Sequence, residues 1–158
     1  MTEPNGRTLF TGSGVALVTP FGGDGGVDEE VLRELVRFHL REGTDALIVN
    51  GSTGEAVTMS PDEQRRAVEV VVGAVRDGER RVPVIAGCGG GDTAVVSRLA
   101  SAAREAGADA LLVAQPPYNK PPQRGLLAHF RAVMDAGGLP TVIYNIPGRA
   151  AVNILPET

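Results

Sequence analysis

The chain has 158 residues, of which 42% are hydrophobic and 22% are charged, and its formal net charge at pH 7 is −4. These values exclude an intrinsically disordered chain and fit one ordinary domain or part of a larger one. The negative charge argues against binding to nucleic acid or to anionic membrane surfaces. The single cysteine, Cys88, excludes an internal disulfide framework, and the sequence shows no membrane-length apolar run and no signal peptide. We therefore expect a cytoplasmic protein.

Strands and helices are predicted to alternate along the chain after a flexible, polar tail at residues 1–10. Short apolar runs without alternation predict five buried strands at residues 14–18, 46–50, 82–86, 110–114 and 141–145. Helical spacing of apolar residues, with caps and glycine stops, predicts helices at residues 27–42, 61–76, 93–106 and 123–136, and the start of a fifth at 155–157. Strict alternation requires a parallel sheet with right-handed crossovers, which is an α/β fold.

Two architectures fit this alternation. The strand starts recur every 28 to 36 residues, so five strands in 158 residues extrapolate to eight strands in about 250 residues, the size of a (β/α)8 TIM barrel. We therefore predict that residues 11–158 form the first five βα units, the amino-terminal portion of a barrel catalytic domain. The alternative is a complete, open, doubly wound sheet of five strands.

The turn after the second predicted strand has the sequence GSTGE at residues 51–55. Its two glycines let the backbone approach a ligand closely, and Ser52 and Thr53 offer hydroxyl and backbone N–H groups together. The carboxyl end of a parallel strand is where α/β proteins build their sites. The alternative reading is a tight structural turn before a capped helix.

Further polar residues follow the fourth and fifth predicted strands. Tyr118 lies in the proline-rich loop 115–122, and Tyr144 and Arg149 lie at the end of the fifth strand and just beyond it. A tyrosine can act as a general acid, a serine hydroxyl such as that of Ser52 can pass a proton on, and an arginine binds a carboxylate as a fork. The alternatives are a packing aromatic for Tyr118 and a surface ion pair for Arg149.

Other candidates carry weaker signals. The glycine-rich stretch 87–91 lacks the lysine of a P-loop and the spacing of a dinucleotide fingerprint. His39 and His129 lie in predicted helices without paired ligand spacing, so we expect helix-surface or packing histidines and no metal site. Cys88 has no evident partner and is predicted to be a buried structural thiol.

Four motifs, in order, resemble those of the dihydrodipicolinate synthase (4-hydroxy-tetrahydrodipicolinate synthase) family of pyruvate-dependent class I aldolases and lyases. They are TPF at 19–21, GSTGE at 51–55, PYNKP at 117–121 and YNIPGR at 144–149. The resemblance covers residues 11–158 and implies a (β/α)8 barrel with its active site at the carboxyl-terminal mouth. It further implies a lysine on the sixth strand that forms a Schiff base with pyruvate, which then attacks L-aspartate 4-semialdehyde in lysine and diaminopimelate biosynthesis. It implies no external cofactor, and a homo-oligomer, either a dimer or a dimer of dimers.

The resemblance also implies a role for each site residue. Ser52 stands where the family commonly has threonine and would join a proton relay with Tyr144 and Tyr118. Thr53 and the Ser52 backbone would hold the pyruvate carboxylate. Tyr144 would act as acid and base beside the imine, and Tyr118 would reach across a dimer interface into the neighbouring site. Arg149 would bind the carboxylate of the aldehyde substrate.

The sequence departs from the family pattern in two places. Pro117 replaces a second tyrosine, and the only lysine is Lys120, in the loop after the fourth strand. The Schiff-base lysine would therefore lie beyond Thr158, and the chain as given is predicted to be an inactive fragment. Two alternatives stay open: a sister enzyme such as N-acetylneuraminate lyase or a 2-keto-3-deoxy sugar acid aldolase, which Arg149 disfavours, and a non-catalytic half-barrel scaffold.

Overall fold

A computed structural model describes residues 8–158, in which five parallel strands alternate with helices. The strands are β1 (Gly14–Ala16), β2 (Ala46–Val49), β3 (Val84–Cys88), β4 (Ala110–Ala114) and β5 (Thr141–Tyr144). The helices are α1 (Glu29–Arg41), α2 (Pro61–Arg76), α3 (Thr93–Glu105), α4 (Gln123–Gly137) and α5 (Pro147–Ala150). Two short 3₁₀ helices, Ser52–Gly54 and Ala56–Thr58, lie between β2 and α2. In this described part, no helix is long and apolar enough to cross a membrane.

The strand order in space is the order in sequence, β1-β2-β3-β4-β5, and every neighbouring pair is parallel. Right-handed crossovers between strands that always advance in one direction place every helix on the same face of the sheet. A doubly wound sheet instead reverses its strand order and carries helices on both faces. The sheet is therefore a half-barrel, and the prediction of the first five βα units of a TIM barrel is confirmed.

The two faces of the sheet have different neighbours. Alternate residues such as Leu47, Val84 and Leu111 belong to the main core, which the helices cover on the convex face. On the concave face, Ala46, Ile85 and Ala110 form a second, smaller cluster, against which the following partly buried residues pack: Leu9, Phe10, Ile48 and Leu112. Leu9 and Phe10 thus have core contacts within the stretch predicted as a tail, while residues 1–7 of that stretch lie outside the described residues.

Helix α2 begins and ends where the sequence predicts. The Ser60 hydroxyl accepts a hydrogen bond from the Glu63 N–H (3.3 Å), and the Glu63 carboxylate accepts one from the Ser60 N–H (2.7 Å). This reciprocal pair satisfies two helix-terminal donors, and Pro61 at the first helical position needs no donor partner. Strand β4 likewise has the predicted bounds.

Strand β3 lies two residues later than the predicted 82–86. Pro83 has no N–H to donate, although its carbonyl accepts a hydrogen bond from the Leu47 N–H at 3.0 Å, so the regular ladder begins at Val84. Gly87 and Cys88 are consequently strand residues and not part of a glycine-rich loop.

The other boundaries differ from the prediction by one or two residues. Helix α1 begins at Glu29 and not at residue 27, because the Asp28 carboxylate accepts from the Val31 N–H (3.1 Å) and caps the helix there. It also ends one residue early, as α3 does, whereas α4 runs one residue longer. Strand β1 is two residues shorter than predicted, and β2 and β5 are one residue shorter.

The chain after β5 differs most from the prediction. It forms the four-residue helix α5, which the sequence analysis did not predict. Residues 155–157, predicted as the start of a helix, lie in a single turn closed by a 2.9 Å hydrogen bond from the Thr158 N–H to the Leu155 carbonyl.

Candidate active site

The five predicted site residues lie at one edge of the half-barrel. Ser52 and Thr53 follow β2, Tyr118 follows β4, Tyr144 ends β5 and Arg149 lies in α5. Because the strands are parallel, their carboxyl ends meet at the same edge. In an eight-stranded barrel, strands four apart lie diametrically opposite each other. The ends of β2 and β5, three strands apart, would therefore lie nearly across the mouth from each other.

The turn after β2 has a constrained backbone. Asn50 leaves the strand with φ 59°, and its side-chain amide donates a 2.8 Å hydrogen bond to the Gln64 carbonyl. A non-glycine residue with positive φ is uncommon, and the bond to α2 compensates for its cost. The 3₁₀ helix Ser52–Gly54 follows at once, and its first two N–H groups, those of Ser52 and Thr53, have no partner within it. The two exposed residues thus present hydroxyl and N–H donors at the barrel edge.

Close backbone packing fixes where this turn lies. The buried Thr19 hydroxyl donates a 2.6 Å hydrogen bond to the Gly54 carbonyl. A Cβ on Gly54 would lie 2.9 Å from the Leu17 carbonyl oxygen and from the Thr19 hydroxyl. A Cβ on Gly87 would lie 2.2 Å from the Asn50 carbonyl oxygen, so β3 approaches the turn too closely for any side chain. Neighbouring strands on both sides therefore hold the Ser52–Gly54 turn in place.

Tyr144 lies on the concave face of the sheet. It pairs with Ala114, in the same register as the pairing of Leu112 with Val142 two residues earlier, and Leu112 belongs to the concave cluster. The Tyr144 side chain is 39% exposed, and among the described residues its hydroxyl has no hydrogen-bond partner. The hydroxyl is therefore free to act on a ligand in the barrel mouth.

Arg149 is exposed on helix α5. The described part of the chain contains no acidic side chain within ion-pair distance of its guanidinium. The surface ion pair that the sequence analysis considered for Arg149 is therefore absent from the described part of the chain. The guanidinium N–H groups are available to bind a carboxylate.

Tyr118 does not pack as a core aromatic. Its side chain is 92% exposed and its φ is 69°. The loop around it is anchored by the Asn119 side-chain amide, which donates a 2.8 Å hydrogen bond to the Gly91 carbonyl. Within residues 8–158, no hydrogen bond joins Ser52, Tyr118 and Tyr144, so the predicted relay is not formed inside a single copy of this chain.

Gln115, which the sequence analysis did not single out, joins β4 to the chain after β5. It is 1% exposed and directly follows β4. Its side-chain nitrogen donates to the Asn145 side-chain oxygen (3.2 Å) and to the Val152 carbonyl (3.0 Å), and its oxygen accepts from the Ile146 N–H (3.4 Å). Glutamine is mostly exposed in proteins, so nothing in the sequence signals this burial.

Both histidines pack against helix-terminal hydroxyls. His39 Nδ1 lies 3.2 Å from the Thr44 hydroxyl oxygen, and His129 Nδ1 lies 2.9 Å from the Thr93 hydroxyl oxygen. His129 is 3% exposed, and its burial lowers its pKa, which a contact with the Ala114 carbonyl partly opposes. The helix-surface or packing role predicted for the histidines is confirmed, since His129 is buried and His39 half-buried. Over residues 8–158, no group of three or more His, Cys, Asp and Glu side chains could hold a metal ion.

Cys88 is a buried thiol at the end of β3, as predicted. Burial disfavours the thiolate and raises the pKa of Cys88 to about 12. A thiol with so little thiolate at neutral pH is a poor nucleophile, so its role here is packing.

The sequence model of the dihydrodipicolinate synthetase family matches residues 9–158. The chain belongs to this family. The 4-hydroxy-tetrahydrodipicolinate synthase of Geotalea uraniireducens (strain Rf4) is 51% identical over 150 residues, which are 95% of this chain and 50% of that protein. The chain spans about half the length of the curated relatives it matches.

Solved structures of dihydrodipicolinate synthases share the half-barrel. That of the Aquifex aeolicus enzyme has a TM-score of 0.86 at 46% identity and covers 92% of this chain and 48% of its own. The chloride-inhibited enzyme of Acinetobacter baumannii, complexed with pyruvate, has a TM-score of 0.86 at 41% identity and covers 93% of this chain and 49% of its own. The resemblance of this chain to the dihydrodipicolinate synthetase family, and its reading as the amino-terminal part of a barrel, are therefore confirmed.

Proposed function

We propose that this chain is the amino-terminal half of a 4-hydroxy-tetrahydrodipicolinate synthase, a lyase of lysine and diaminopimelate biosynthesis. The whole protein would condense pyruvate, held as an imine on a lysine, with L-aspartate 4-semialdehyde. The proposal rests on a group of polar side chains at the carboxyl edge that form no hydrogen bond or ion pair with other side chains of the described chain. Ser52, Thr53, Tyr144 and Arg149 are exposed there, without side-chain partners among the described residues.

The turn after β2 would bind the pyruvate carboxylate. The N–H groups of Ser52 and Thr53 are free within their 3₁₀ helix, and the Thr53 hydroxyl adds a further donor. Donors held in place by surrounding packing bind an anion without reorganising, and Thr19, Gly54 and Gly87 supply that packing here. The Acinetobacter baumannii relative was solved in complex with pyruvate, which supports pyruvate as the ligand.

Tyr144 would move protons at the reacting carbon. Condensation through an imine requires removal of a proton from the pyruvate methyl group, attack of the resulting enamine on the aldehyde, and protonation of the new alkoxide. The Tyr144 hydroxyl lies on the concave face without a partner in the described chain. Ser52 and the Tyr118 of a second copy would complete the relay. The exposure of Tyr118 supports a homo-oligomer, a dimer or a dimer of dimers. The whole protein would act in the cytoplasm.

The imine-forming lysine would lie outside this chain. Lys120, the only lysine, is exposed in the loop between β4 and α4 and does not lie on a strand facing the concave surface. A lysine nucleophile requires a desolvated amine, which an exposed loop does not provide. The chain as given would therefore have no aldolase activity, and no external cofactor would be needed when the lysine is present.

Arg149 supports an aldehyde that carries a carboxylate. Its guanidinium has no acidic partner among the described residues, and a planar fork matches a carboxylate better than a sugar hydroxyl. The names of the curated relatives point the same way. A sister lyase or aldolase that acts on sugar acids, and a non-catalytic scaffold, remain the alternatives that the experiment below separates.

The test uses the full-length protein that contains this chain, with the 158-residue chain as control. One sample of each is incubated with pyruvate and borohydride and weighed by mass spectrometry. A separate, untreated sample is assayed for turnover of pyruvate with L-aspartate 4-semialdehyde, N-acetylmannosamine or glyceraldehyde. We expect one trapped pyruvate per full-length chain, none on the control, and turnover with the semialdehyde. Turnover with a sugar aldehyde alone would refute the synthase activity and would indicate one of the sister enzymes instead. Absence of any adduct would favour the scaffold, and an adduct on Lys120 with turnover would refute the placement of the nucleophile.

A further inference from the structure

The segment that carries Tyr144 and Arg149 has little stability of its own. Helix α5 has four residues, which is too short for a helix to persist in water without tertiary contacts. It ends at Ala151 with φ 58°, an unfavourable conformation for alanine. Its position must therefore be imposed by contacts at its two ends.

Gln115 makes directed contacts at both ends of this segment. Its side-chain oxygen accepts from the Ile146 N–H, directly before α5, and its nitrogen donates to the Val152 carbonyl, directly after the Ala151 that ends α5. Its second donated bond goes to the Asn145 side-chain oxygen, one residue beyond Tyr144. The amide thus uses both donors and one acceptor site on the segment that bears the two site residues.

Apolar contacts cannot replace this geometry. Ala150 is buried, and Val152 and Ile154 pack against the main core, so burial holds the segment near the sheet. Hydrophobic contact is non-directional. The three hydrogen bonds made by the fully buried Gln115 amide, two donated and one accepted, fix both the position and the orientation of the segment. The amide is itself fixed, because it follows directly on β4, which pairs with β5 through Ala114 and Tyr144.

We propose that Gln115 is a positioning residue that sets where Arg149 lies relative to Tyr144, and so where the carboxylate of the aldehyde substrate binds relative to the reacting carbon. This inference rests on the proposed function for its chemical consequence. A displacement of a binding group by about 1 Å can lower a rate by about 100-fold, so one buried amide outside the site can determine its efficiency.

The chain offers a matched control in Gln123. Its side-chain amide also makes three hydrogen bonds, with the Asn153 carbonyl (2.9 Å), the Leu155 N–H (3.2 Å) and the Thr158 hydroxyl (2.6 Å). All three lie beyond Val152 and do not flank α5. Gln115→Met and Gln123→Met are therefore the same substitution with the same number of lost bonds, and methionine conserves the length and approximate volume of the side chain. Gln123 is half-buried and Gln115 fully buried, so the comparison rests mainly on where the effects appear along the chain.

The experiment compares these two variants of the full-length protein with the wild type by hydrogen exchange, borohydride trapping and steady-state kinetics. In Gln115→Met we expect amide exchange about 10-fold faster or more in peptides covering residues 146–151, and unchanged exchange in α2. We expect a higher KM for the aldehyde and a lower kcat, so that kcat/KM for the aldehyde falls about 10- to 100-fold, while the KM for pyruvate is unchanged. In Gln123→Met these quantities should stay close to the wild-type values.

Every other outcome also tests the proposal. Wild-type exchange and kinetics in Gln115→Met, or equal losses in Gln123→Met, would overturn the proposal. A lower kcat with both KM values unchanged would mean only a smaller folded fraction and would overturn it too. If Gln115→Met does not fold, Gln115→Asn, which keeps a buried amide but shortens its reach to all three partners by one methylene, must show the same changes in the same direction. If the wild type traps no pyruvate, the proposed function fails, and the exchange at residues 146–151 alone decides whether Gln115 holds the segment.

Discussion

The hydroxyl of Thr19 donates a 2.6 Å hydrogen bond to the carbonyl oxygen of Gly54. This buried bond joins the loop after β1 to the turn after β2, two segments that are 35 residues apart in sequence. The turn that presents Ser52 and Thr53 is thereby tied to a second βα unit. The bond therefore contributes both to folding and to the geometry of the candidate site.

Replacing Thr19 by valine should lower the free energy of unfolding by about 1–2 kcal/mol, because the shape is kept while the buried Gly54 carbonyl loses its donor. We also expect a higher KM for pyruvate in the full-length enzyme, since the turn is less well fixed. Thr58→Val is the matched control. Its hydroxyl donates to the Glu55 carbonyl at 2.9 Å in the same turn, but it is exposed, so water can replace it. Equal losses in both variants would contradict a special role for Thr19.

Replacing Gly87 by alanine should destabilise the protein by about 3 kcal/mol or prevent folding. The new Cβ would lie 2.2 Å from the Asn50 carbonyl oxygen, and the backbone on both sides is fixed by the sheet. Gly89→Ala is the control, since a Cβ there meets no atom within 4 Å. Thermal unfolding of both variants measures the difference, and a melting temperature for Gly87→Ala equal to that of Gly89→Ala would refute the packing argument.

The ion pair between Glu29 and Arg66 should make stability depend on acid pH. Hydrogen bonds from the Arg66 guanidinium, at 2.7 Å to each carboxylate oxygen, lower the pKa of Glu29 from 4.5 to about 2, with Arg33 contributing and desolvation opposing. A carboxyl whose folded pKa is depressed stabilises the protein above its unfolded pKa and loses that effect as the pH falls. The stabilisation should therefore be lost progressively between about pH 5 and pH 2.

Glu29→Gln tests this expectation. The difference in melting temperature between the wild type and Glu29→Gln should be largest above pH 5 and shrink on acidification, and it should decrease in high salt because the pair is only partly buried. Glu34→Gln, an exposed glutamate of α1 without an ion pair among the described residues, should show no such trend. A pH-independent difference for Glu29→Gln would exclude the proposed linkage.

Tyr144→Phe should leave borohydride trapping of pyruvate largely intact and lower kcat by about 10²–10⁴-fold, the usual contribution of general acid–base catalysis. The phenyl ring keeps the packing on β5, so a loss of rate reports on the hydroxyl. Ser52→Thr should be nearly silent because its hydroxyl survives. Normal turnover in Tyr144→Phe would remove this residue from the proton relay.

Arg149→Ala should raise the KM for L-aspartate 4-semialdehyde about 10- to 100-fold, because a hydrogen bond to a charged group contributes about 1.5–3 kcal/mol. The KM for pyruvate should change little. Arg124→Ala, which removes an exposed arginine of α4 that has no ion pair in the described chain, controls for the loss of positive charge. Equal effects of Arg149→Ala on both substrates would contradict its assigned role.

The sequence predicts elements with strong local signals better than those fixed by distant contacts. The serine–proline start of α2 and the apolar run of β4 have the predicted bounds, because caps and burial patterns are local. The position of β3 depends on which backbone donors meet β2, and Pro83 removes one that the apolar pattern does not reveal. The four-residue helix α5 is too short to have a periodic pattern.

The candidate site shows the same division. That the residues with hydroxyl, phenol and guanidinium groups lie at the carboxyl edge could be predicted, since each lies at or after the end of a predicted strand. Their roles stay predictions. Gln115 could not, because its importance depends on three partners 30 to 37 residues away. Whether a glutamine is exposed or fully buried is decided by tertiary packing and not by its neighbours in the chain.

The spatial order of the strands also bears on how the chain is made. Every strand pairs only with strands that precede or follow it directly in sequence, so a unit can dock as soon as it has left the ribosome. With strand starts about 30 residues apart, synthesis at 5–20 residues per second gives each unit roughly 2–6 s. Helices form in about a microsecond or less. Each unit therefore has time to pair with the last strand of the sheet before the next unit is synthesised. The half-barrel can therefore assemble vectorially from its amino end, with the turn that presents Ser52 and Thr53 in place before Tyr144 is translated.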